Sequence, residues 1–316
     1  MIEAHGLIKR FGEKRALNGM TFSVPEGRIY GLLGPNGAGK TTTMRILACL
    51  LNPDGGSAWV AGVDAARNPE KVRSTIGILT EVPGLYDRLK AGEYLDFFAQ
   101  MYGLQGSQRR ARIEGLMRLL DIWDARNERL RSFSKGMKQK VAIARALIHR
   151  PQVLLFDEPT AALDPEAAKT VRDHIVDLIR TERCTVLLCT HNLAEAEQLC
   201  WRISIVQQGR SIAEGTPIEL KAMAAQAVRL SLRAVLPNYV AVVHATPGVE
   251  ALATENGTIT YRTTDAASVN PRVVRQLVEA GADVLSLQLE AMGLEDAYLH
   301  VMRKGESDPN TPRDPT

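Results

Sequence analysis

Gly34-Pro35-Asn36-Gly37-Ala38-Gly39-Lys40-Thr41 satisfies G-x-x-x-x-G-K-[ST] at every fixed position. Glycines let successive backbone N–H groups turn inward around phosphate oxygens, and a helix that starts there adds the positive end of its dipole. Lys40 then reaches β- and γ-phosphates, and the Thr41 hydroxyl is placed to hold Mg²⁺. Before the motif, Ile29-Tyr30-Gly31-Leu32-Leu33 reads as a short buried strand; after it, Thr42-Thr43-Met44-Arg45-Ile46-Leu47 reads as a helix. Strand, loop and helix in that order predict an α/β fold. A chain of this length shows the pattern by chance roughly once in a hundred sequences.

Upstream, residues 2 to 24 alternate apolar and polar around Gly12 and the basic turn Glu13-Lys14-Arg15, which predicts antiparallel strands. Phe11 at that turn either stacks on a purine ring or packs on an edge strand. Downstream, Pro53-Asp54-Gly55-Gly56 marks a turn, Ser57 to Gly62 a strand, and Ile76-Gly77-Ile78-Leu79-Thr80 a short apolar strand. That strand ends at Glu81, which either faces Mg²⁺ and the γ-phosphate or is an exposed loop charge. From Leu89 to Leu130 apolar residues recur at helical steps, through Tyr94, Leu95, Phe98, Met101 and Tyr102 and again through Ile113, Leu116, Met117, Leu120 and Trp123. This is a helical insertion.

Ser132 to Lys140 then leads into a helix from Val141 to Ile148, and Ser134 with Gly136 at the helix start is either a second anion-binding end next to Lys135 or a plain N-cap. Val153-Leu154-Leu155-Phe156-Asp157-Glu158 is a buried strand ending in two adjacent carboxylates, an expensive placement unless they are used. Behind a phosphate loop, the first carboxylate holds Mg²⁺ and the second takes the proton of an attacking water. Asp157 is therefore assigned to the metal and Glu158 to catalysis. Thr185 to Thr190 is a further buried strand, and it delivers His191 to the same carboxyl edge, where open α/β sheets bind ligands. His191 there either contacts a γ-phosphate or is structural.

Composition limits the alternatives. The 316 residues are 45% hydrophobic and 24% charged, enough for two globular domains, and a net charge of +3 with no basic run interleaved with aromatics gives no sign of a nucleic-acid partner. Cys49, Cys184, Cys189 and Cys200 have no metal-ligand spacing and read as reduced core residues of a cytosolic protein. The start lacks a signal peptide and no stretch of about 18 apolar residues occurs, so any membrane-spanning part is expected on other chains.

Taken in order, the phosphate loop, Ser134-Lys135-Gly136-Met137, Leu155-Phe156-Asp157-Glu158, Leu163-Asp164 and His191 resemble the nucleotide-binding subunit of ABC transporters across roughly residues 1 to 220. In that family ATP is sandwiched between the phosphate loop of one subunit and the serine-glycine helix start of another. The resemblance implies Phe11 as the adenine-stacking aromatic and Gly34 to Thr42 as the phosphate loop. It makes Asp157 the metal carboxylate, Glu158 the general base, Asp164 a dimer contact and His191 the γ-phosphate switch. Two departures stand out. Glu81 occupies the place of the family's usual glutamine, and Phe133-Ser134-Lys135-Gly136-Met137 keeps only the serine and second glycine of L-S-G-G-Q.

Beyond Gly215-Thr216-Pro217 the composition changes, and the elements follow in the order βαββαβ, a small ferredoxin-like domain with a hairpin at Asn256-Gly257. Leu294 to Leu299 reads as a terminal helix, and the polar, proline-rich segment after Lys304 is expected to be disordered. The expected organisation is thus an ABC cassette over 1–220, an α+β accessory domain over 221–304 and a tail over 305–316. The tail-bearing domain is similar to that of bacterial drug- and sodium-export ATPases, the type-2 exporters, and reads either as a dimerisation or regulatory module or as a stabilising appendage. The whole is expected to hydrolyse Mg-ATP as a homodimer, peripherally, on the cytoplasmic face of the membrane beneath a separate polytopic permease. A soluble ATPase of translation or DNA repair is the alternative, although neither a second cassette nor a long coiled coil is present. With no N-K-x-D motif, a GTPase is the weaker reading.

Overall fold

The computed structural model describes residues 1–161, 163–223, 226–255, 257–290 and 293–307. The chain divides into two compact units, Met1–Glu214 and Gly215–Thr316.

The first unit opens with β1 (Ile2–Phe11) and β2 (Lys14–Val24), an antiparallel pair whose alternating burial puts Ile2, Ala4, Leu7, Leu17 and Met20 into the core. Next come β3 (Ile29–Leu33), α1 (Lys40–Leu47), β4 (Gly55–Val60) and β5 (Val63–Asp64). Strands β2-β1-β4-β5, in that order, make one sheet. α2 (Pro69–Thr75) leads into β6 (Ile76–Leu79), and the helical insertion follows as α3 (Ala91–Met101) and α4 (Gly106–Leu119). The insertion is less helical than its periodicity predicts. Asp121 takes a left-handed φ of 53° and ends the run, so Trp123 stands beyond α4, with the Arg118 and Arg126 guanidiniums 5.0 and 4.5 Å from its ring.

The chain continues through α5 (Lys135–Leu147), β7 (Val153–Asp157), α6 (Pro165–Glu182), β8 (Thr185–Thr190), α7 (Leu193–Leu199), β9 (Arg202–Gln207) and β10 (Arg210–Gly215). Six strands form the second sheet in the order β10-β9-β3-β8-β7-β6. Every residue of β7 and β8 is buried, as expected of strands covered on both faces. The pairs β6/β7, β7/β8, β8/β3 and β3/β9 are all parallel, with Leu33 opposite Thr190 and Asp157 opposite Cys189. This register decides the function. It brings the chain leaving β3, β6, β7 and β8 out at one sheet edge, with Gly34, Glu158 and His191 directly after their strands and Glu81 two residues after β6.

The second unit holds α8 (Pro217–Ala222), β11 (Gln226–Leu232), α9 (Pro237–Ala245), β12 (Ala251–Glu255), β13 (Thr258–Thr263), α10 (Ala266–Glu279), β14 (Val284–Leu289) and α11 (Leu294–Ser307). Its sheet is antiparallel in the order β12-β13-β11-β14, built on Val228, Leu230, Ile259 and Tyr261 against Val269, Val273 and Leu277 of α10. Glu255 pairs with Thr258 around the expected hairpin; Gly257 has φ 78°, while Asn256 lies outside the described residues. Two limits differ from the sequence reading. α8 packs on α11, so the division falls after Glu214 and not after residue 220. The amphipathic α11 also carries the chain as helix through Ser307, past the expected start of the tail at residue 305, and residues 308–316 lie outside the described residues.

Candidate functional site

The phosphate loop is held in shape by contacts that only small residues permit. Gly39, the N-cap of α1, has φ 108°, and a Cβ there would stand 2.8 Å from both Ala16 O and Leu17 Cδ2. A Cβ on Gly34 would run into the Val206 carbonyl. With no side chain capping α1, the N–H groups of its first turn are left for a ligand. Lys40, 5% exposed, donates through Nζ to Gly34 O at 2.6 Å and Pro35 O at 3.2 Å, and lies 3.7 Å from Glu158 Oε1. Ala38 braces the loop, its N–H donating to Pro35 O at 3.2 Å and its carbonyl accepting from Gly209 N at 2.9 Å.

Over this loop lies a cavity of about 300 Å³, lined by Phe11, Asn36, Gly37, Gly39, Lys40, Thr41, Thr42, Glu81, Asp157, Glu158 and His191, with Lys14 and Ala16 beside them. The structure thus gathers residues from five separate stretches of sequence. Lys14 and Ala16 escaped the sequence reading because a hairpin strand carries no motif. Half of Phe11 is exposed, and Lys9 Nζ stands 5.8 Å from its ring centroid.

Asp157 is 4% exposed, and its Oδ1 is buried without a hydrogen-bond partner. Burial pushes its carboxyl above the usual range; the Thr41 hydroxyl pulls it down, the Glu158 and Glu81 charges push it up, and Lys40 opposes them. An orphaned carboxylate oxygen beside a threonine hydroxyl is a hard-oxygen donor pair open to a cation. Among the described residues no cluster of three or more His, Cys, Asp or Glu could hold a metal, so beyond Thr41, Asp157 and the Glu81 carboxylate that lines the same cavity a cation here would draw its ligands from water and phosphate.

Glu158 follows directly, in a left-handed conformation with φ 51° that costs about 1 kcal/mol or more for a residue with a side chain. Its N–H donates to Cys189 O at 2.8 Å, which locks that turn onto β8. Its carboxylate is held by two groups from the neighbouring strand end. Oε2 accepts from the Thr190 hydroxyl at 3.3 Å, and Oε1 pairs with His191 Nδ1 at 2.8 Å. With Nδ1 donating to the carboxylate, Nε2 of the half-exposed imidazole is left for another partner at the cavity.

Gly34, Pro35 and Ala38 shape the loop without lining the cavity, and four further sequence-predicted residues stand away from it. Ser134 caps α5, its hydroxyl accepting from Met137 N at 3.2 Å, and Lys135 follows it in the open. Gly136 comes so near α6 that a Cβ on it would be 3.2 Å from Ala167 Cβ. Asp164 caps α6, its Oδ1 accepting from Ala167 N at 2.9 Å. Ser134 and Asp164 are exposed, so one chain presents two separate faces: a lined cavity and an open pair of helix starts.

A family model described as ABC transporter matches residues 17–161. Daunorubicin resistance ATP-binding protein DrrA2 of Streptomyces coeruleorubidus is 37% identical over 304 residues, 95% of this chain and 94% of that protein. ABC transporter ATP-binding protein NatA of Bacillus subtilis (strain 168) is 40% identical over 220 residues, 68% of this chain and 89% of its own. Among solved structures, the dimeric post-hydrolysis state of the ATP-binding cassette MJ0796 bound to ADP and Pi matches with a TM-score of 0.62 at 26% identity, covering 68% of this chain and 98% of that one. These relatives fit the transport reading and not the translation alternative. Identity at this level over nearly the full length of both chains shows the family: the protein belongs to the ATP-binding, ATP-hydrolysing subunits of ABC transporters.

Proposed function

We propose that two copies of this chain close face to face on Mg-ATP and drive a separate membrane exporter. The observation that carries this reading is the division of the site into a lined cavity and exposed Ser134 and Asp164. A triphosphate in the cavity of one copy would meet the Ser134 helix start of the other, where the serine hydroxyl, the N–H groups and Lys135 supply positive ends. That the MJ0796 cassette is dimeric with ADP and Pi bound supports two copies acting together.

In this reading Phe11 stacks on adenine, residues Gly34 to Thr42 wrap the phosphates, and Lys40 exchanges its loop carbonyls for β- and γ-oxygens. Thr41, Asp157 and Glu81 are the groups that would hold Mg²⁺, which when bound supplies Lewis-acid neutralisation of the phosphate charge. Glu158 accepts a proton from water as the water oxygen bonds to the γ-phosphorus, and the bond to the β–γ bridging oxygen breaks. The electron pair leaves with ADP, whose charge Lys40 and the α1 N-terminus offset. His191 holds Glu158 through Nδ1, and in its doubly protonated form donates Nε2–H to the γ-phosphate.

The domain assignment follows: cassette chemistry in the first unit, a dimerisation or regulatory role in the second. No helix of the described residues is long and apolar enough to cross a membrane. The first unit nonetheless exposes half or more of Leu50, Val82, Tyr86 and Met101, and Leu50 lines a groove with Ile78, Phe98, Tyr102, Arg145 and His149. An apolar patch of that kind marks a docking face, here for a cytoplasmic segment of the permease. Both chemistry and partner can be tested with Glu158→Gln. It should bind ATP, hydrolyse about 100- to 10,000-fold more slowly and accumulate as a closed dimer. Purified from native membranes with Mg-ATP, it should bring a polytopic protein in stoichiometric amount. Parental turnover would remove Glu158 as the base, and co-purification of ribosomes or repair proteins alone would overturn the exporter reading.

A further inference from the structure

Glu195 lies in the first turn of α7, where glutamate ordinarily faces water and reaches back to the helix cap. Here it is 0% exposed. Its N–H donates to the Asn192 cap at 3.1 Å, but its carboxyl turns inward, and Oε1 accepts from the Thr160 hydroxyl at 2.8 Å. Oε2 is buried without a hydrogen-bond partner. A fully buried carboxyl with one oxygen left unpaired is costly, and it is tolerated where it does something for its neighbours.

Those neighbours are the two ends of the hydrolytic apparatus. Thr160 is two residues past Glu158, at the head of the turn that runs to Asp164, and its carbonyl accepts from Leu163 N at 3.3 Å. Thr190 is the residue before His191, and its hydroxyl donates to Glu158 Oε2 while accepting from Asn192 N at 3.0 Å. Thr190 also borders Glu195; burial pushes the Glu195 carboxyl up, against the pull of the Thr190 and Thr160 hydroxyls. In its neutral form Oε2–H is a donor, and Thr190 Oγ1 is the acceptor at hand.

We propose that Glu195 is a positioning residue for hydrolysis: through Thr160 and Thr190 it holds Glu158, His191 and the turn to Asp164 as one hydrogen-bonded unit. It touches neither nucleotide nor water. It fixes the direction of a base whose own backbone is strained, and an error of about 1 Å there costs roughly 100-fold in rate. The proposal rests on Glu158 being the general base.

The test measures ATP turnover and ATP affinity on the full-length protein with Glu195→Ala, Glu195→Gln and Glu158→Gln side by side. Glu195→Ala should lower kcat about 10- to 100-fold with ATP affinity within about two-fold of the parent, because the cavity lining is untouched. Glu195→Gln offers the same acceptor to Thr160 and an amide donor to Thr190, so it should keep about half of parental kcat or more. A merely structural buried residue gives neither the split nor the rescue. If Glu195→Ala does not fold, Thr160→Val and Thr160→Ser decide the matter, the valine reproducing the kcat loss and the serine restoring it. Glu195→Ala turning over within about two-fold of the parent, or Glu195→Gln falling as far as the alanine, overturns the proposal. Parental hydrolysis by Glu158→Gln instead overturns the base assignment beneath it, so the two failures are distinct.

Discussion

The cavity face and the Ser134 face of the first unit are both built on helix starts, yet they are finished to different degrees. At the start of α1 the glycines are pinned against β2 and β9, Lys40 is buried, and carboxylates from neighbouring strand ends close the rim. At the starts of α5 and α6, Ser134 and Asp164 cap their own helices and otherwise face water. One face is packed into place by the fold itself, through Gly34, Gly39 and Lys40. The other is capped locally, rests on the contact of Gly136 with α6 and stays open to water, and in the proposed reading it gains its chemical meaning from a second surface.

The largest effect that would break this comparison comes from Gly39→Val. The substituted residue would have to adopt φ 108° with its side chain against Ala16 O and Leu17 Cδ2. Expected losses are about 2–4 kcal/mol of stability, read by urea unfolding, together with ATP binding by the isolated chain. Ordinary stability and affinity would mean the cavity face is as adaptable as the other. A middle-sized effect separates the faces in the opposite sense. Ser134→Ala should leave ATP binding by the isolated chain within about two-fold of the parent, lower stability by about 1 kcal/mol through the lost cap, and cut hydrolysis about ten-fold or more. Unchanged turnover would take Ser134 out of the composite site.

The smallest effect is one of pH. The Glu195 carboxyl is pushed up chiefly by burial, with Glu158 adding to the rise and Thr190, Thr160 and Arg172 opposing it. A carboxyl whose folded pKa lies above its unfolded one binds its proton more tightly in the folded state. Its stabilisation is complete below the unfolded value and is lost as pH rises through the folded value. Glu195→Gln carries no such group, so its melting temperature relative to the parent should climb from acidic to neutral pH. Ser134→Ala should differ from the parent by a constant amount over the same range. Parallel curves for Glu195→Gln would show that the buried face carries no such linkage.

How much of this could be read in the sequence depends on the distance over which each feature is specified. Gly34 to Thr41 and Val153 to Glu158 are spelled by neighbouring residues, because phosphate wrapping and strand burial are local demands, and both stand where their patterns put them. The cap at Ser134 was legible for the same reason. Glu195 was not: in Asn192-Leu193-Ala194-Glu195-Ala196-Glu197 it reads as one more polar residue of a short helix. Only the parallel register of β7 and β8 brings Thr160 under it from 35 residues away. Lys14 and Ala16 entered the cavity lining unannounced, since a hairpin beside the phosphate loop is a tertiary fact. The true end of α4 turned on one backbone angle at Asp121, which hydrophobic spacing does not encode.

Lys40 is already paired with the Gly34 and Pro35 carbonyls and the Glu158 carboxylate. A buried ammonium with those partners lets the loop keep its shape between turnovers, so nucleotide entry exchanges one set of contacts for another without refolding the cradle. In the proposed reading the same exchange trades the 3.7 Å contact between Lys40 and Glu158 for phosphate, so loading the site also uncouples the loop lysine from the strand-end carboxylate.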